Sequence, residues 1–590
     1  MPKGSYTTEL VVSIDGRRLN DDHRRSLIEG WVDASVNVPA SFQLTFADQA
    51  RQVLGELKVR LGSEVVVSAL AVGDDGGGPL FTGEVTALEA DFDGTGSYGV
   101  VRGHDPGHRL LRNRRVEGFQ NMTASDIARK VATRNGLKVG RIDPTRTVYE
   151  SVTQPNVTDW DFLMRLAREN GVEVYFSDRG EFRFVKPKPA SGAPGKGVQA
   201  TSSPYVVEFG NNLLRCRTGV TASDQVRTVQ VRGWDVRRKR EVTAEADATR
   251  NAELAIGLTG AAAVTPFGTA ELVETDIPYG TNAQVKEAAK ALAADVGGAF
   301  AELELAVNGD PKLRPGLPVA VNKVGRPFEG KYTVTTARHV FGAGETYETW
   351  LTVSGRQHRS LFGLASGGAP PAPRMPGVAT AIVTDIDDPD GMGRVKLRFP
   401  WLDDAYVSDW ARVVQLGGVR GGGLFLPEVK DEVLVAFDRG ALDHPYVIGG
   451  LYNGVDRLPR YQRMPVVTPR GRVNWRSLAS RTGNRIELLD APGRQGVTIS
   501  SGDDLMTVTL REAGTRLDVT SNGSVGISGA RAVMINGGVV TVDGRTRLDL
   551  RAPTIGLTGA NISLTGVVQV QGALNVNGLI TQAGHPVVVV

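Results

Sequence analysis

Apolar and polar side chains alternate at every second position in many short runs of this 590-residue chain, which is the spacing of β-strands with one buried face. The pattern predicts strand pairs such as EVVVSALAV with LFTGEVTALEADF, and a hairpin in EVYFSDRGEFRFVKP with Asp178, Arg179 and Gly180 at its turn. After about residue 490 the strands become short, as in GVTISS, TVTLREAG, TRLDVTS, SVGISG and AVMINGG, and Gly or Asn interrupts them. We therefore predict a mainly β protein with a few helices.

Three stretches carry helical spacing together with residues that start and stop helices. TASDIARKVATRNG can begin at a Thr123 cap and end at Gly136, and TDWDFLMRLARENG can begin at Thr158 and end at Gly171. A third helix is predicted to start near Thr281 and to run through VKEAAKALAADVGG. The simplest account of this region is two β-barrel subdomains with inserted helices.

Changes in composition divide the chain into segments. The stretch GLASGGAPPAPRMPG, residues 363–377, cannot build a core and is predicted to be a linker. It separates residues 1–362 from a compact β segment at 378–455. An arginine-rich neck at 456–489 and a repetitive β tail at 490–590 follow.

Charge and cysteine content narrow the class of protein. A net charge of +3 gives no overall field that would favour nucleic acid or a membrane. Cys216 is the single cysteine, so we expect no intrachain disulfide and interpret it as a buried small apolar residue of a protein folded in a reducing cytoplasm. The N-terminus MPKGSYTTELVVSIDG lacks the apolar core of a secretion signal, and no run approaches the ~18 apolar residues that span a bilayer.

Motifs for catalysis or metal binding are weak. His104, Asp105 and His108 lie close together in RGHDPGHRL, but Pro106 and Gly107 prevent the regular helix that would align them. The glycine-rich GGVRGGG at 417–423 lacks the Lys-Ser/Thr of a phosphate loop. A pair of catalytic carboxylates stays open, because such pairs need no local spacing. We predict no catalytic residue, no cofactor and no metal.

The segment at 378–455 contains the most specific motifs. They are the run DPDGMGRVKLRFPW, then SDWARV, GLFLPEV, DEVLVAF and HPYVIGGL, and the closing pair Tyr452 and Asn453. In this order they resemble the OB-type barrel of the VgrG and phage-tail spike family. The helix segment TDWDFLMRLARENGVEVYF similarly resembles the hub domain of that family. The residues that carry the barrel motif are Gly393, Arg394, Val395, Phe399, Pro400, Trp401, Trp410, Tyr452 and Asn453.

The barrel motif also makes physical sense by itself. The glycines after Asp390 permit a turn, and Val395, Leu397 and Phe399 alternate inward between outward basic residues. The barrel is no evidence for nucleic-acid binding, because an exposed face of aromatic and basic residues is missing. We expect no specific nucleic-acid partner.

The tail is uncharged near its end, and the resemblance implies that it forms a needle with two further copies of the chain. A single narrow strand set cannot cover its own apolar face, and each exposed Val or Leu forfeits about 1.5–3 kcal/mol. The resemblance implies a homotrimeric β-helical or β-prism needle. Its predicted core residues all fall on even positions, as one face of a strand requires: Ile562, Leu564, Val568, Val570, Leu574 and Val576.

The C-terminal AGHPVVVV predicts a capped tip, because four exposed valines would favour aggregation. The resemblance implies a PAAR-type tip protein there, bound by Pro586, Val587, Val588, Val589 and Val590. His585 is a weak metal candidate, since three copies would meet on the axis. The His-x-His pair of some phage needles is absent, so plain packing is preferred.

Eight arginines and no acidic residue lie between positions 457 and 485: Arg457, Arg460, Arg463, Arg470, Arg472, Arg476, Arg481 and Arg485. We favour a solvated collar of irregular chain. The alternative is a cationic ring that docks an acidic partner or cargo.

The resemblance implies a structural role in a contractile injection system, not an enzyme. A trimeric hub would adapt the sixfold tube and baseplate to a threefold needle that pierces a membrane when the sheath contracts. Partners would be tube and baseplate proteins, a tip protein, effector cargo and, transiently, the target membrane. The protein would be made in the bacterial cytoplasm and reside in a particle there or outside the cell.

The fragments GEVTALEADFDG and NVTDWDFL resemble most the spike of extracellular phage-tail-like systems. A type VI secretion VgrG or a phage baseplate spike is the near alternative. From another class, a tail-spike-like polysaccharide or peptidoglycan hydrolase stays open, although the tail has no acidic side chain after Asp549. A DNA-binding barrel would retain DNA with a steep salt dependence.

Overall fold

The computed structural model describes residues 8–71, 78–342, 346–354, 375, 377–418, 421–459 and 464–587. The chain forms two compact units, Met1–Arg457 and Leu458–Val590. The mainly β prediction is confirmed. Most of the predicted linker, including 363–374, lies outside the described residues.

The largest sheet combines strands from both ends of the first 353 residues. Leu27–Ser35 pairs antiparallel with Thr336–Gly342, with Trp31 opposite Val340. Phe42, Leu44 and Phe46, on the strand Val38–Ala47 of this sheet, are fully buried. In spatial order its eleven strands are Leu213–Val220, Ala301–Asn308, Thr346–Val353, Thr336–Gly342, Leu27–Ser35, Val38–Ala47, Gly96–His104, Pro79–Asp93, Glu64–Ala71, Thr8–Ile14 and Arg17–Arg18.

Four smaller sheets complete the part of the chain before residue 363, which we call the hub region after the domain it resembles. Two of them include the predicted hairpin, in which Glu173–Phe176 pairs with Phe182–Val185, and a long two-stranded ribbon in which Arg114–Thr123 pairs antiparallel with Val148–Thr158. The third sheet has four strands, in spatial order Val206–Glu208, Pro318–Asn322, Gly330–Thr333 and Leu254–Ile256. The fourth has three, Arg240–Asp247, Thr228–Asp235 and Glu271–Glu274. The strand Val139–Ile142 pairs with Phe182–Val185 and so extends the sheet of the predicted hairpin.

The three predicted helices are confirmed, with their caps. The Thr123 hydroxyl accepts from the Asp126 N–H at 3.2 Å, and Thr281 forms the same capping box with Gln284. The middle helix ends at Gly171 in the left-handed conformation, at φ 61°. The α-helices are Asp21–Ser26, Val53–Glu56, Ala124–Arg134, Asp159–Asn170, Gly260–Val264 and Asn282–Gly298, and the 3-10 helices are Pro106–Leu111, Ala190–Gly192, Thr265–Phe267 and Asp438–Gly440.

An α/β subdomain is inserted at the edge of the large sheet. Val220 and Ala301 are direct partners in the antiparallel pair that leaves and re-enters the sheet. Between them, helix Asn282–Gly298 packs on the strands Thr228–Asp235 and Arg240–Asp247. The hub therefore does not divide into consecutive barrels along the sequence.

The segment predicted as an OB-type barrel is a five-stranded sheet that closes on itself. A bridge between Val395 and Ala411 joins its two end strands, and Phe399 is fully buried inside. In spatial order the strands are Lys396–Arg398, Val378–Asp385, Glu432–Phe437, Pro445–Gly450 and Arg412–Val413.

The second unit begins with an antiparallel meander rather than an irregular neck. Its first strand starts at Trp475, which is buried, so ordered sheet begins about 15 residues before the expected start of the tail near 490. In order the strands are Trp475–Ala479, Arg485–Leu489, Gly496–Ser500, Met506–Arg511 and Arg516–Ser521.

After Ser521 the chain is extended, but the structure assigns it no strand until Thr581. The strands predicted in SVGISG and AVMINGG are therefore absent from this part of the described chain, because no neighbouring segment offers them hydrogen bonds. A two-residue hairpin, Thr581–Gln582 with His585–Pro586, follows. Within the described residues, no helix is long and apolar enough to cross a membrane.

Candidate functional site

The turn that opens the barrel motif is organised by a single carboxylate. Asp388 Oδ2 accepts from the main-chain N–H groups of Met392 at 2.9 Å and Arg394 at 3.1 Å, and Oδ1 accepts from Asp390 at 3.1 Å. The Arg394 guanidinium donates to both oxygens, and Gly393 has a φ of 68° that favours glycine. These hydrogen bonds hold the Asp388 pKa well below its usual range.

The rest of the motif divides into core and surface. Val395 and Phe399 are buried in the barrel core, whereas Pro400 is exposed in the loop that follows. Half-exposed Trp401 donates from Nε1 to the Thr380 carbonyl at 2.8 Å. The motif residues therefore build the barrel and are not gathered in a catalytic pocket.

Two further motif positions stabilise the barrel surface. The ammonium group of Lys396 lies 4.6 Å from the ring centroid of Trp410. Asn453 donates to the Glu432 carboxylate at 2.6 Å, while Tyr452 is exposed. The hydrogen bond from Asn453 fixes the last turn of the barrel to its central strand Glu432–Phe437.

The barrel packs directly on the long two-stranded ribbon of the hub. The Tyr406 hydroxyl and the Thr153 hydroxyl are 3.0 Å apart and buried, and Val116 of the same ribbon contacts the barrel core. Arg439 donates to the Ile277 carbonyl of the inserted subdomain at 3.0 Å. The sequence alone does not reveal this contact between barrel and hub, because the hydrogen-bonded residues are 253 and 162 positions apart and have no local signal.

A cavity of about 90 Å³ lies in this seam and contains coupled charges. Arg165 lies 3.7 Å from Glu169 and 4.0 Å from Asp443. Burial raises the pKa of Glu169 despite Arg165. Burial also opposes ionisation of Asp443, but His444 and Arg165 outweigh it and lower its pKa to about 2. The charges join hub to barrel across the seam.

The histidine cluster noted in the sequence is tied up in structural contacts. His108 Nε2 lies 2.8 Å from Glu84, whereas His104 Nδ1 lies 3.0 Å from the Thr86 hydroxyl. Asp105 accepts from two main-chain N–H groups, and burial raises its pKa to about 7. In the described part of the chain, no group of three or more His, Cys, Asp or Glu side chains is placed to hold a metal.

The other candidate groups are not arranged for chemistry. Gly417 and Gly422 approach so closely that a Cβ on Gly422 would lie 2.2 Å from the Gly417 nitrogen, so these two glycines pack against each other rather than around a phosphate. Cys216 is half-buried on an edge strand, and burial raises the pKa of its thiol. A raised thiol pKa disfavours the nucleophilic thiolate.

The arginine-rich neck is partly neutralised by contacts within the second unit. Arg476 pairs with Asp490, and Arg485 is buried with Glu487 and Asp504. Arg470 stays exposed at a tight turn stabilised by the Thr468 N–H and the Arg472 carbonyl. Arg460 and Arg463 lie outside the described residues. Arg485 is therefore buried, and Arg476 is neutralised by Asp490 although it stays exposed, so the net positive charge of the neck is smaller than the arginines alone suggested.

Residues 523–580 form a series of extended segments, separated by bends, that we call the shaft segment. Each extended segment carries one pair of apolar residues at positions i and i+2, which point to the same side. Among the described residues, no main-chain hydrogen bond joins 523–579 to another part of the chain. The pairs are Val525/Ile527, Val533/Ile535, Val540/Val542, Leu548/Leu550, Ile555/Leu557, Ile562/Leu564, Val568/Val570 and Leu574/Val576.

Exposure distinguishes two sides of the shaft segment. Val540 and Val568, which belong to pairs, are 51% and 60% exposed, whereas their neighbours Val539 and Val567 are 88% and 100% exposed. The pairs thus face the inside of the winding chain and their apolar neighbours face away. Among the described residues of this unit, none covers the inner side.

The six predicted needle-core residues are members of these pairs, but the even-position argument was wrong. Bends at Gly566 and Gly572 divide them among three extended segments, so they do not follow one continuous strand. Their shared parity arises because successive pairs are six residues apart here, which is an even number.

The C-terminal hairpin places His585 beside Gln582, and Ala583 and Gly584 form its turn with positive φ. Val587 continues the pairing through its N–H to the Ile580 carbonyl at 2.7 Å. Of the five predicted tip residues, Pro586 and Val587 lie within the described chain and are exposed. Val588, Val589 and Val590 lie outside the described residues.

Two family models match the chain. The model described as the type VI secretion system/phage-baseplate injector OB domain matches residues 379–452, which is the closed barrel. The model described as the Alg8 N-terminal domain matches residues 69–342 of the hub region. The barrel match coincides with the motif whose geometry is described above.

Curated relatives and solved structures agree with the barrel match. The type VI secretion system spike protein VgrG5 of Pseudomonas aeruginosa is 42% identical over 98 residues, which cover 15% of this chain and 12% of that protein. VgrG1c of the same organism is 29% identical over 176 residues, 26% of this chain and 24% of that protein. The chain thus spans less than a quarter of the length of these relatives.

Among solved structures, the lidded Francisella PdpA-VgrG complex matches with a TM-score of 0.51 at 9% identity, covering 87% of this chain and 80% of that one. At this identity the match concerns the fold alone. It extends over both units of the present chain.

Proposed function

Because the chain belongs to the VgrG and phage-tail spike family, we propose that it is the central spike of a contractile injection machine and acts as a homotrimer. The observation that carries the proposal is the shaft segment. It presents apolar pairs on one side, and its residues 523–579 have no main-chain hydrogen-bond partner among the described residues of their own unit. Further copies of the same segment would cover the apolar pairs and would supply the main-chain hydrogen-bond partners.

The proposed mechanism is mechanical. Interchain strand pairing and a shared apolar interior would make the shaft rigid, and contraction of the sheath would drive it through the target membrane. The hub would connect the sixfold tube to the threefold shaft. The docked barrel supports this role, because Tyr406 with Thr153 and Arg165 with Asp443 would transmit force from hub to barrel.

Partners follow from the same proposal. Tube and baseplate proteins would bind the hub, a PAAR-type tip protein would bind the terminal hairpin, and an effector could travel with the spike. A solved relative forms a complex with PdpA, which supports the idea that such spikes hold a second protein.

Two machines fit the proposed spike. The hub fragments that resemble extracellular phage-tail-like systems favour a released particle, whereas the curated relatives are type VI spikes and favour contact-dependent export. Sheathed particles in the culture medium that contain this chain would select the first. Its export only by cells in contact with their targets would select the second.

Assembly tests the spike proposal in either machine. Deleting the gene should remove the spike and prevent assembly of complete sheathed particles, and expression of the full chain should restore them. Complete sheathed particles of normal form without the chain would refute the proposal.

A hydrolase is the alternative from another class. The carboxylates of the barrel turn and of the seam are held in ion pairs with Arg394 and Arg165, which supports structural roles for them. Incubation of the full-length protein with peptidoglycan and capsule polymers should release no soluble fragments. Sustained release would favour the enzyme.

A further inference from the structure

A second and larger cavity, of about 420 Å³, lies beside the one in the seam between hub and barrel. Three parts of the first unit line it: the ribbon strand Val148–Thr158, the inserted subdomain at Trp234 and Tyr279, and the barrel surface at Trp410 and Tyr446. We call this cavity the cleft. Its volume lies within the range of about 300–1,000 Å³ found for small-molecule sites. The sequence shows no aromatic surface here, because the three parts are far apart in the chain.

Ion pairs hold the three walls of the cleft together. Arg237 of the inserted subdomain lies 3.4 Å from Glu150 of the ribbon and 3.6 Å from Asp390 of the barrel turn. Arg439 of the barrel donates to the Ile277 carbonyl of the inserted subdomain. The cleft is therefore formed before a ligand binds, which lowers the entropic cost of binding.

The ring of Trp234 is a free aromatic surface in one wall. Its side chain is 46% exposed, while its main-chain N–H donates to the Tyr279 carbonyl at 2.9 Å. The preceding residue, Gly233, packs so closely that a Cβ there would lie 2.1 Å from the same carbonyl oxygen. Within the part of the chain that the structure describes, the Trp234 side chain has no hydrogen bond, ring contact or cation contact. The backbone thus holds the tryptophan in place and leaves its ring available to a ligand.

Positive and negative side chains balance one another in the lining of the cleft. Five are arginines and five are carboxylates: Arg237, Arg238, Arg394, Arg412, Arg439, Glu150, Asp235, Asp409, Asp438 and Asp443. His444 adds at most one further positive charge and lies 3.0 Å from Asp443. A nucleic acid or a charged peptide would therefore meet like charges about as often as opposite ones. The lining favours an uncharged ligand.

The same charged side chains suit a ligand with many hydroxyl groups. Arg238 lies 3.1 Å from Asp235, and each keeps further donors or lone pairs when paired in this way. A hydroxyl group both donates and accepts, so it can bind an arginine and a carboxylate together. Arg412 is exposed and lies 5.6 Å from the ring centroid of Tyr446, and no carboxylate pairs with it among the described residues. Its guanidinium group adds free donors to the lining.

We propose that the cleft binds a short, uncharged oligosaccharide. One sugar ring stacks its C–H face on Trp234, because these hydrogens carry partial positive charge and the face of an aromatic ring is negative. Its hydroxyl groups bind Arg412 and the paired charges of Arg238 and Asp235. This binding site is additional to the proposed spike function and needs no bond cleavage.

Titration of the full-length protein with three uncharged oligosaccharides tests the proposal: maltohexaose, cellopentaose and the hexamer of N-acetylglucosamine. Calorimetry should detect binding of at least one of them with a dissociation constant below about 1 mM. Trp234→Ala should weaken that binding roughly tenfold, because it removes the stacking surface. Absence of binding for all three sugars would overturn the proposal.

Two control variants separate stacking from misfolding and from general effects. Trp234→Phe keeps an aromatic ring and should retain most of the affinity. Trp350→Ala removes a tryptophan of matched exposure, 45%, from the large hub sheet outside the cleft, and should leave the affinity unchanged. If Trp350→Ala or Trp234→Phe lost as much affinity as Trp234→Ala, the stacking role of Trp234 would be overturned.

Salt dependence identifies the class of ligand. Affinity for an uncharged sugar should change by less than about twofold between about 50 and 200 mM salt, since no counterions are released. Single-stranded oligothymidylate that displaced the sugar, and whose own affinity fell steeply over this range, would show a nucleic-acid site and overturn the proposal. None of these measurements depends on the trimer or on particle assembly, so their failure would leave the spike proposal intact.

Discussion

The guanidinium group of Arg394 lies against the carboxylate of Asp388, and its Nε is 3.1 Å from each carboxylate oxygen. Both side chains are largely buried, at 12% and 3% exposure. The same carboxylate also accepts three main-chain N–H groups of its turn. One ionised aspartate therefore organises the turn from which the barrel strand Lys396–Arg398 begins.

Asp388→Asn should destabilise this turn by about 1–3 kcal/mol, because an amide cannot accept the same set of charge-assisted hydrogen bonds. The Asp388 pKa is lowered in the fold, so its contribution is present above the unfolded value of 3.8 and is lost as pH falls below it. Hydrogen exchange at the Met392 and Arg394 amides should be faster in the variant at neutral pH. The difference should shrink in acid.

Asp387→Asn is the matched control, because Asp387 is exposed in the same loop. It should leave exchange at both amides unchanged. Equal effects of the two variants would show that Asp388 has no special role in the turn.

Asp105 should make the hub less stable as pH rises toward neutrality. Burial raises its pKa from 3.8 to about 7, so the folded protein retains a proton that the unfolded chain has lost. The free energy of unfolding should then fall between pH of about 4 and about 7, by at most about 1.4 kcal/mol per pH unit. Urea titrations of the full chain and of Asp105→Asn across this range give the two slopes.

The Asp105→Asn slope should be flatter than that of the unsubstituted chain. Identical slopes would mean that Asp105 ionises normally in the fold. Glu169, whose pKa is also raised by burial, contributes equally to both titrations.

Tyr406→Phe should loosen the seat of the barrel on the hub. The substitution removes the buried hydroxyl that lies 3.0 Å from the Thr153 hydroxyl, at a cost of about 1 kcal/mol. Hydrogen exchange should rise in the paired strands Arg114–Thr123 and Val148–Thr158. Tyr452→Phe, at an exposed tyrosine of the same barrel, should leave it unchanged.

A charge on the inner side of the shaft should disrupt assembly, whereas a charge beside it on the outer side should not. Val540→Asp would bring three carboxylates into the proposed shared interior, where each costs several kcal/mol. Val539→Asp would leave them in water. Native mass and resistance of the shaft to protease report the outcome, and equal behaviour of the two variants would contradict the assigned sides.

Local signals in the sequence predicted the local elements well. Thr123, Thr158 and Thr281 cap their helices because a hydroxyl near the helix start satisfies free N–H groups wherever the helix packs. The barrel core at Val395 and Phe399 was equally predictable from alternation. These features depend on residues close in the chain.

Features that depend on distant residues were not predictable. The pairing of Leu27–Ser35 with Thr336–Gly342 joins segments about 300 positions apart, and nothing local marks either strand as the partner of the other. The neck was expected to be irregular because arginines rarely signal strands, yet Arg485 is buried by ion pairs with Glu487 and Asp504. The even positions of the predicted needle-core residues suggested one continuous strand, but the bend at Gly572 interrupts it, and nothing in the alternation of residues predicted that bend.

The mass of the full-length protein in solution, measured by light scattering, tests the central claim most directly. A chain ending at Asn522, just after the meander, provides the comparison without cutting a strand. We expect the full chain to be a stable trimer and the shortened chain to dissociate more readily. A full-length monomer across the accessible concentration range would contradict the spike.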